Sequence, residues 1–365
     1  MRRVVVSEFV SLDGVMEAPG GEEGHPHSGW VLEFDDPGRV SVPRETRGPG
    51  WGDLVERYST IAAVVVVVAI FAATTPSFLS GDNLTAILTQ ISVLAIVATG
   101  MTLCVAVGEF DLSVGSVVSL SGILSTKLIA DGTSVVVALL VALAAGVTFG
   151  LANGLLATLL RVPSLVVTLA SSAVAVGANY AYSGGASIYG TMPRSFQILG
   201  QGRLDPLGIP VIFVIACVVT AGAYVVLERS IFGRRMIATG LNATMARFTG
   251  IKTHRYRILG LVSSALLAAA GGILLASYIG SGQPDAGAPY LLNALTVVFV
   301  GMSTIRPGQA NILGSLVGVV LLGVIANGLN LLGSPFWVTQ VVSGGILILA
   351  VLVAALRGNL KLFSN

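Results

Sequence analysis

The chain has 365 residues, of which 54% are hydrophobic and only 10% are charged, and its mean hydropathy is +0.88. Soluble globular proteins carry about 25% charged residues, so this composition excludes a soluble protein of this size. The apolar runs are long and continuous, as in Leu259–Ile279, whereas a lipid-facing β-barrel would show short alternating segments. The composition therefore predicts an all-α membrane protein.

Residues 1–56 differ from the rest of the chain. They hold 11 acidic and 5 basic residues, whereas residues 57–365 hold 7 acidic and 15 basic residues. The opening stretch from Met1 to Trp30 resembles the start of the dihydrofolate-reductase-like domain of riboflavin deaminase/reductase proteins, but the family's other strands and cofactor-binding residues are missing. We therefore predict a non-functional polar remnant at 1–56 and a transmembrane domain at 57–365.

A helix needs about 20 apolar residues to cross a bilayer. On this basis the sequence predicts about ten transmembrane helices. Their approximate bounds are 58–75, 84–107, 114–130, 134–158, 164–183, 209–227, 257–279, 289–303, 311–332 and 336–356.

The basic residues predict the orientation of these spans, because cytoplasmic loops are enriched in Lys and Arg. With the N-terminus inside, 17 basic residues face the cytoplasm and 3 face outward, namely Lys127, Arg194 and Arg203. The sequence thus predicts a multi-pass protein of the inner or plasma membrane with both termini cytoplasmic.

The inward-facing segment from Glu228 to Tyr256 is long and strongly basic. Contact with anionic membrane lipid is the simpler explanation of such a segment. However, Asn242 can cap a short helix from Ala243 to Thr249, and Gly250 can end that helix in the left-handed conformation. A short capped helix between two spans is a plausible docking point for another subunit.

A tetrapeptide that occurs twice in the sequence indicates an internal repeat. The tetrapeptide from Ala152 to Leu155 recurs from Ala326 to Leu329, 174 residues later. This offset covers five predicted spans, an odd number, so the two halves would be inverted relative to each other, as in many transporters. Gly146, Gly150 and Gly154 form a small-xxx-small pattern in the fourth span, which predicts a close helix crossing.

The run from Gly108 to Ser116 interrupts the longest apolar region with two acids, Glu109 and Asp111. Acids at membrane depth are costly and need a helix break, water or a partner. Asp111 can cap the next helix by accepting bonds from the amides near Ser113 and Val114, or it can line a substrate pathway. Glu109 has no evident capping role. The polar residues that we consider candidates for the pathway are Glu109, Asp111, Asn153, Asn179, Gln283, Asn327 and Asn330; hydrogen bonding between helices is the simpler role of the asparagines.

Several motifs resemble the permease subunit of ribose-type ABC importers. They include Gly100-Met101-Thr102, the run Asp111–Ser116, the segment Gly233–Ile251 and the run Asn327–Gly333. The resemblance covers roughly residues 57–356. It implies an ABC importer permease fold, a function in translocating a monosaccharide or similar small polar solute, and no enzymatic activity in this chain.

The resemblance also implies partners: a cytoplasmic ABC ATPase, an extracytoplasmic solute-binding protein and a second permease in a homodimer or heterodimer. The residues that match the family's coupling element to the ATPase are Arg234, Arg235, Asn242, Arg247 and Gly250. No cofactor, metal or nucleic acid is expected. The chain departs from the family at Glu109 and Phe110, where a glycine and an isoleucine are usual, and at Ala243, where an acid is common. An ion- or proton-coupled secondary transporter is the alternative.

Overall fold

The structure is a computed structural model that describes residues 51–206, 208–306 and 308–356. The predicted remnant lies outside the described residues except for 51–56, which belong to the first helix. The basic residues Arg357 and Lys361, which contributed to the predicted orientation, also lie outside the described residues.

The described residues form thirteen α-helices, one π-helical turn and two short strands. The α-helices are α1 (Trp51–Thr74), α2 (Gly81–Ala106), α3 (Val114–Ala130), α4 (Val135–Leu159), α5 (Ser164–Ser183), α6 (Arg194–Gln201), α7 (Val211–Tyr224), α8 (Ile231–Leu241), α9 (Ala243–Phe248), α10 (Thr253–Ile279), α11 (Ala288–Met302), α12 (Ile312–Leu331) and α13 (Phe336–Leu356). The π-helical turn Val225–Arg229 extends α7. Strands β1 (Arg203–Leu204) and β2 (Ile209–Pro210) pair antiparallel, with Arg203 opposite Pro210.

The all-helical prediction is confirmed, and each predicted span corresponds to a helix. Among the described residues, six helices are long and apolar enough to cross a membrane, and four apolar helices are shorter; the number ten stays a prediction. Helix α1 begins at Trp51, seven residues before the predicted start. The sequence analysis did not predict α6 and α8, because both are short and only partly apolar.

Side chains fix where several of the helices begin. The Ser80 hydroxyl accepts from the Asn83 amide at the start of α2, and Asn311 Oδ1 accepts from the Gly314 amide at the start of α12, at 2.7 Å. The Ser230 hydroxyl does the same for α8. Each bond satisfies an amide that has no partner within its own helix.

Helix α10 lies at the centre of the bundle, where it packs against α2, α3 and α4. Helices α10 and α4 pack closely because the predicted small-residue face of α4, formed by Gly146, Gly150 and Gly154, lies against α10. A Cβ atom added to Gly150 would lie 2.6 Å from Val262 Cα, and one added to Gly146 would lie 2.6 Å from Ala269 Cβ. The predicted close crossing is therefore confirmed.

The helix packing repeats along the chain. When α2, α3, α4 and α5 are matched in order to α10, α11, α12 and α13, the contacts correspond. Helix α10 packs on α3 and α4, and α2 packs on α11 and α12. The pairs α3–α4, α3–α5 and α4–α5 correspond to α11–α12, α11–α13 and α12–α13. This pattern supports the internal repeat that the sequence predicts.

We expect Gly150→Ala to destabilise the protein, because the added methyl group would meet the backbone of α10. Overpacking of this kind costs about 1–3 kcal/mol, so the thermal unfolding midpoint in detergent should fall by several degrees. Gly177→Ala on α5 is the matched control, since a Cβ there meets nothing within 4 Å. Equal midpoints for the two variants would contradict the close crossing.

Candidate functional site

The connection between α2 and α3, residues 107–113, carries the two acids that the sequence analysis selected. Gly108 has φ +80° and lies against α8, where a Cβ added to Gly240 would be 2.4 Å from the Ala106 carbonyl oxygen. The Glu109 carboxylate, only 4% exposed, forms an ion pair with Arg257 near the start of α10. The structure therefore places Glu109 beside the basic segment, with its charge compensated.

Asp111 lies at the same break and makes one of the two predicted contacts. Its carboxylate accepts from the amide of Ser113, at 3.0 Å, and from the hydroxyl of the same residue. The N-cap of α3 is Ser113, and Val114 donates no bond to Asp111. Asp111 thus stabilises the turn that precedes the helix instead of capping the helix itself. Asn153 on α4 also reaches this turn, since its Nδ2 donates to the Ser113 hydroxyl at 3.1 Å.

The break is further held by α5. The Leu112 amide donates to the Thr168 hydroxyl oxygen at 3.0 Å, and the Thr168 hydroxyl is fully buried. At the other end of α5, Asn179 Nδ2 donates to the Pro284 carbonyl oxygen at 2.7 Å in the connection between α10 and α11. Asn179 therefore stabilises a second break.

Asn327 and Asn83 form a reciprocal amide pair between α12 and α2. Each side chain donates to the other's carbonyl oxygen, at 2.9 Å and 3.0 Å. Both side chains are buried. An amide pair of this kind satisfies polar groups inside the bundle, so the structure gives Asn327 a protein partner.

The remaining two pathway candidates, Gln283 and Asn330, line one cavity of about 560 Å³. The walls come from α2, α10, α11, α12 and α13. Other polar side chains that line it are Gln90, Tyr290, Asn293, Ser334, Thr339, Gln340 and Ser343. The structure thus brings Gln283 and Asn330 together, and the other five candidates are not among the described residues that line this cavity.

Sequence reasoning missed most of this polar lining. The side-chain amide oxygen of Asn293, Oδ1, is buried and has no hydrogen-bond partner among the described residues. Gln90 and Asn293 each lie in an apolar helix, so a polar side chain inside a predicted span was the available signal. None of the described residues that line the cavity is charged. The cavity can therefore offer amide and hydroxyl groups to a neutral polar solute.

The basic segment forms two short helices, α8 and α9. Asn242 Oδ1 accepts from the amides of Thr244 and Met245, at 3.1 and 3.0 Å, and Gly250 has φ +82°. The predicted capped helix is confirmed, although it ends at Phe248, one residue earlier than expected. Phe248 is 82% exposed.

A surface groove of about 570 Å³ lies beside this helix. Three cations line it, Arg235, Lys252 and Arg255, together with Gly250. Arg234 and Arg247 are also exposed. None of these five cations pairs with a carboxylate among the described residues. The residues predicted to couple to the ATPase therefore lie on one exposed, electropositive part of the molecule. They are Arg234, Arg235, Asn242, Arg247 and Gly250.

Apolar helices that surround a polar cavity, with an exposed basic end, define a membrane transport protein. The family model described as "Branched-chain amino acid transport system / permease component" matches residues 83–351. The chain belongs to this permease family, and the family-level resemblance inferred from the motifs is confirmed. It is a multi-pass membrane protein and a component of a transporter.

Named relatives agree with this assignment. The chain is 34% identical over 301 residues to the ribose import permease protein of Escherichia coli (strain K12), covering 82% of this chain and 94% of the relative. The corresponding protein of Bacillus subtilis (strain 168) is also 34% identical, over 82% of this chain and 93% of its own. The L-arabinose ABC transporter permease protein of Azospirillum brasilense is 32% identical, over 88% of this chain and 94% of the relative. No solved structure matches the chain.

We expect Arg257→Ala to destabilise the protein more than Glu109→Gln. The first change leaves a buried carboxylate without its partner, which typically costs about 3–5 kcal/mol, whereas the second removes the buried charge itself. Thermal unfolding of the purified variants in detergent measures the difference.

The matched control is the exposed pair Lys127–Asp131, whose side chains are 33% and 50% exposed. Exposed pairs contribute about 0–1 kcal/mol, so Lys127→Ala should change the midpoint little. If Arg257→Ala behaved like Lys127→Ala, the pair at Glu109 would not be a stabilising contact.

Proposed function

We propose that the chain is the permease subunit of an ATP-driven importer and that it translocates a monosaccharide. The named relatives are a ribose import permease and an L-arabinose ABC transporter permease. The observation that carries the proposal is the uncharged cavity with its amide and hydroxyl lining. Its volume, about 560 Å³, falls within the usual range of small-molecule sites.

The lining chemistry favours a sugar over an amino acid. Gln283, Asn293 and Asn330 each carry both donors and an acceptor, which suits the hydroxyl groups of a sugar. An amino acid brings a carboxylate and an ammonium group, and burying these charges without partners is expensive. The lining gives no charged partner for either group. We therefore narrow the pathway candidates to Gln283 and Asn330, joined by Gln90, Asn293 and Gln340.

The contacts of the other candidates support a structural role for them. Glu109 pairs with Arg257, and Asp111 and Asn153 both bond to Ser113. This arrangement also disfavours the ion-coupled alternative, because the two acids that could form a titratable relay lie at the break beside the basic segment and not in the cavity. Uptake that persisted without ATP and collapsed with an uncoupler would favour that alternative.

We expect Gln283→Ala and Asn330→Ala to lower the rate of sugar uptake by at least tenfold, because each removes hydrogen bonds that the passing solute needs. The measurement is uptake of labelled ribose and labelled arabinose in vesicles that contain the complete transporter. The thermal midpoint of both variants should stay near that of the unchanged protein.

Thr148→Ala is the control, since this exposed hydroxyl donates to the Ala144 carbonyl oxygen within α4 and does not line the cavity. Asn327→Ala should show the opposite pattern, a lower thermal midpoint from the loss of the pair with Asn83. Unchanged uptake by both cavity variants would refute the proposed pathway.

We also propose that α9 is the contact with the ATPase. The helix is capped, exposed and surrounded by unpaired cations, and it presents the apolar side chains of Met245 and Phe248, which are 62% and 82% exposed. Exposed aromatic and arginine residues are typical of the few residues that dominate binding energy at interfaces. Arg234, Arg235 and Arg247 would supply charge complementarity at the edge of this contact.

This assignment agrees with the proposed orientation. The basic segment would face the cytoplasm, both termini would lie on that side of the inner membrane, and the solute-binding protein would contact the opposite end, near α6. A second permease, either another copy of this chain or a related one, would complete the transporter.

We expect Phe248→Ala to reduce co-purification of the ATPase subunit by at least tenfold, because it removes the largest exposed apolar side chain of α9. The measurement is the amount of ATPase retained on the tagged permease in mild detergent. Tyr189→Ala is the matched control, an aromatic residue that is 74% exposed outside the basic segment. Equal retention in both variants would exclude α9 as the main contact.

A further inference from the structure

A second cavity, of about 420 Å³, lies between α2, α7 and α12, apart from the polar cavity. Its walls are almost entirely apolar and include Ala95, Phe213, Leu316 and Val319. Cys217 also lines it and is exposed, and the neighbouring Val218 is 68% exposed. The cavity is therefore a groove that opens on the lateral surface of the bundle, where the bilayer would be.

The hydroxyl groups of Ser92 and Thr220 in the groove are already hydrogen-bonded to backbone carbonyl oxygens of their own helices. Ser92 donates to the Leu88 carbonyl oxygen at 2.5 Å, and Thr220 donates to the Ala216 carbonyl oxygen. Hydroxyl groups bonded in this way have little capacity left for a ligand. The middle of the groove therefore suits a purely apolar occupant.

One end of the groove is polar. Tyr224 lines it there, and its hydroxyl accepts from Nε and Nη2 of Arg229, at 3.2 and 3.1 Å. The guanidinium has five N–H donors, so three remain available. The adjacent acid, Glu228, is occupied by the Ile312 amide and by Arg306, and Arg229 has no carboxylate partner among the described residues. Arg229 is therefore free to bind an anion.

The part of the groove nearest Arg229 fits one leaflet. Arg229 and Thr220 are nine positions apart along α7 and its π-helical extension, which corresponds to roughly 13 Å at 1.5 Å per residue. Half of a hydrocarbon core about 30 Å thick is about 15 Å. An acyl chain with its head group beside Arg229 would thus reach the middle of the bilayer near Thr220, which lines the groove.

We propose that this groove binds one acyl chain of a bilayer phospholipid, whose phosphate group contacts Arg229. The apolar walls, the length and the single cation at the polar end each match one part of the lipid. Basic sites between transmembrane helices bind anionic head groups in this way. Ile91 is the one described residue that lines both this groove and the polar cavity, and the proposal does not depend on the proposed sugar pathway.

Native mass spectrometry of the full-length chain, titrated with palmitoyl-oleoyl phosphatidylglycerol in detergent, tests the proposal. One lipid should bind more tightly than the rest. Arg229→Gln should weaken that binding about fivefold through loss of the charge contact. Ala221→Leu, which places a larger side chain on the groove wall, should weaken it by at least tenfold.

Two matched controls separate the site from general effects. Arg161→Gln removes an exposed arginine elsewhere on the molecule, and Gly222→Leu adds a leucine side chain on α7 at a position that does not line the groove and where nothing lies within 4 Å. Both should retain the lipid, and all four variants should elute as single species with similar thermal midpoints. Loss of lipid in the controls, or retention in Arg229→Gln and Ala221→Leu, would overturn the proposal.

The competing occupant is a second copy of this chain. The sequence has two cysteines, and of these Cys104 is buried whereas Cys217 is exposed in the groove. A thiol cross-linker applied to membranes should therefore give no dimer through Cys217 if lipid fills the groove. A cross-linked dimer that disappears in Cys217→Ser would replace the lipid with a subunit interface.

Discussion

The close contact between α4 and α10 is the constraint on which the rest of the structure depends. Lipid tails are as apolar as leucine, so helices in a bilayer associate through close packing more than through the hydrophobic effect. The glycine face of α4 lets the backbone of α10 approach until a single methyl group would not fit. Helix α10 is thereby held at the centre, where its start meets the acid at the first break and its end lines the polar cavity.

Two polar breaks in the bundle are stabilised by the same helix. Near its start, α5 uses Thr168 to bond the break between α2 and α3, and near its end it uses Asn179 to bond the break between α10 and α11. The breaks are equivalent in the repeat, since Asp111 and Asp285 are separated by the same 174 residues as the echoed tetrapeptides. Their partners differ, because Asp285 accepts from Tyr180. The repeat thus keeps the packing of the helices and the place of the breaks, while the polar contacts differ.

The features that could be predicted from the sequence are local ones. The apolar runs predict most of the helix ends to within a few residues. The cap at Asn242 depends only on residues two and three positions away. The contacts that could not be predicted join distant positions. Asn83 and Asn327 are 244 residues apart, and Glu109 and Arg257 are 148 apart. A polar residue in a span indicates that a partner is needed, but the fold decides whether that partner is another side chain or the solute, so only Gln283 and Asn330 reach the cavity.

Under the proposed function, α10 links the two ends at which the transporter works. Four residues separate it from α9, it pairs with Glu109 through Arg257, and it contributes Leu275 and Ile279 to the cavity wall. Its 27 residues span about 40 Å, and it packs against three neighbouring helices, α2, α3 and α4. Interfaces between packed helices change between discrete arrangements and do not deform gradually. A tilt imposed at the basic end by an ATPase would therefore reposition the cavity wall, without any group carrying charge through the membrane.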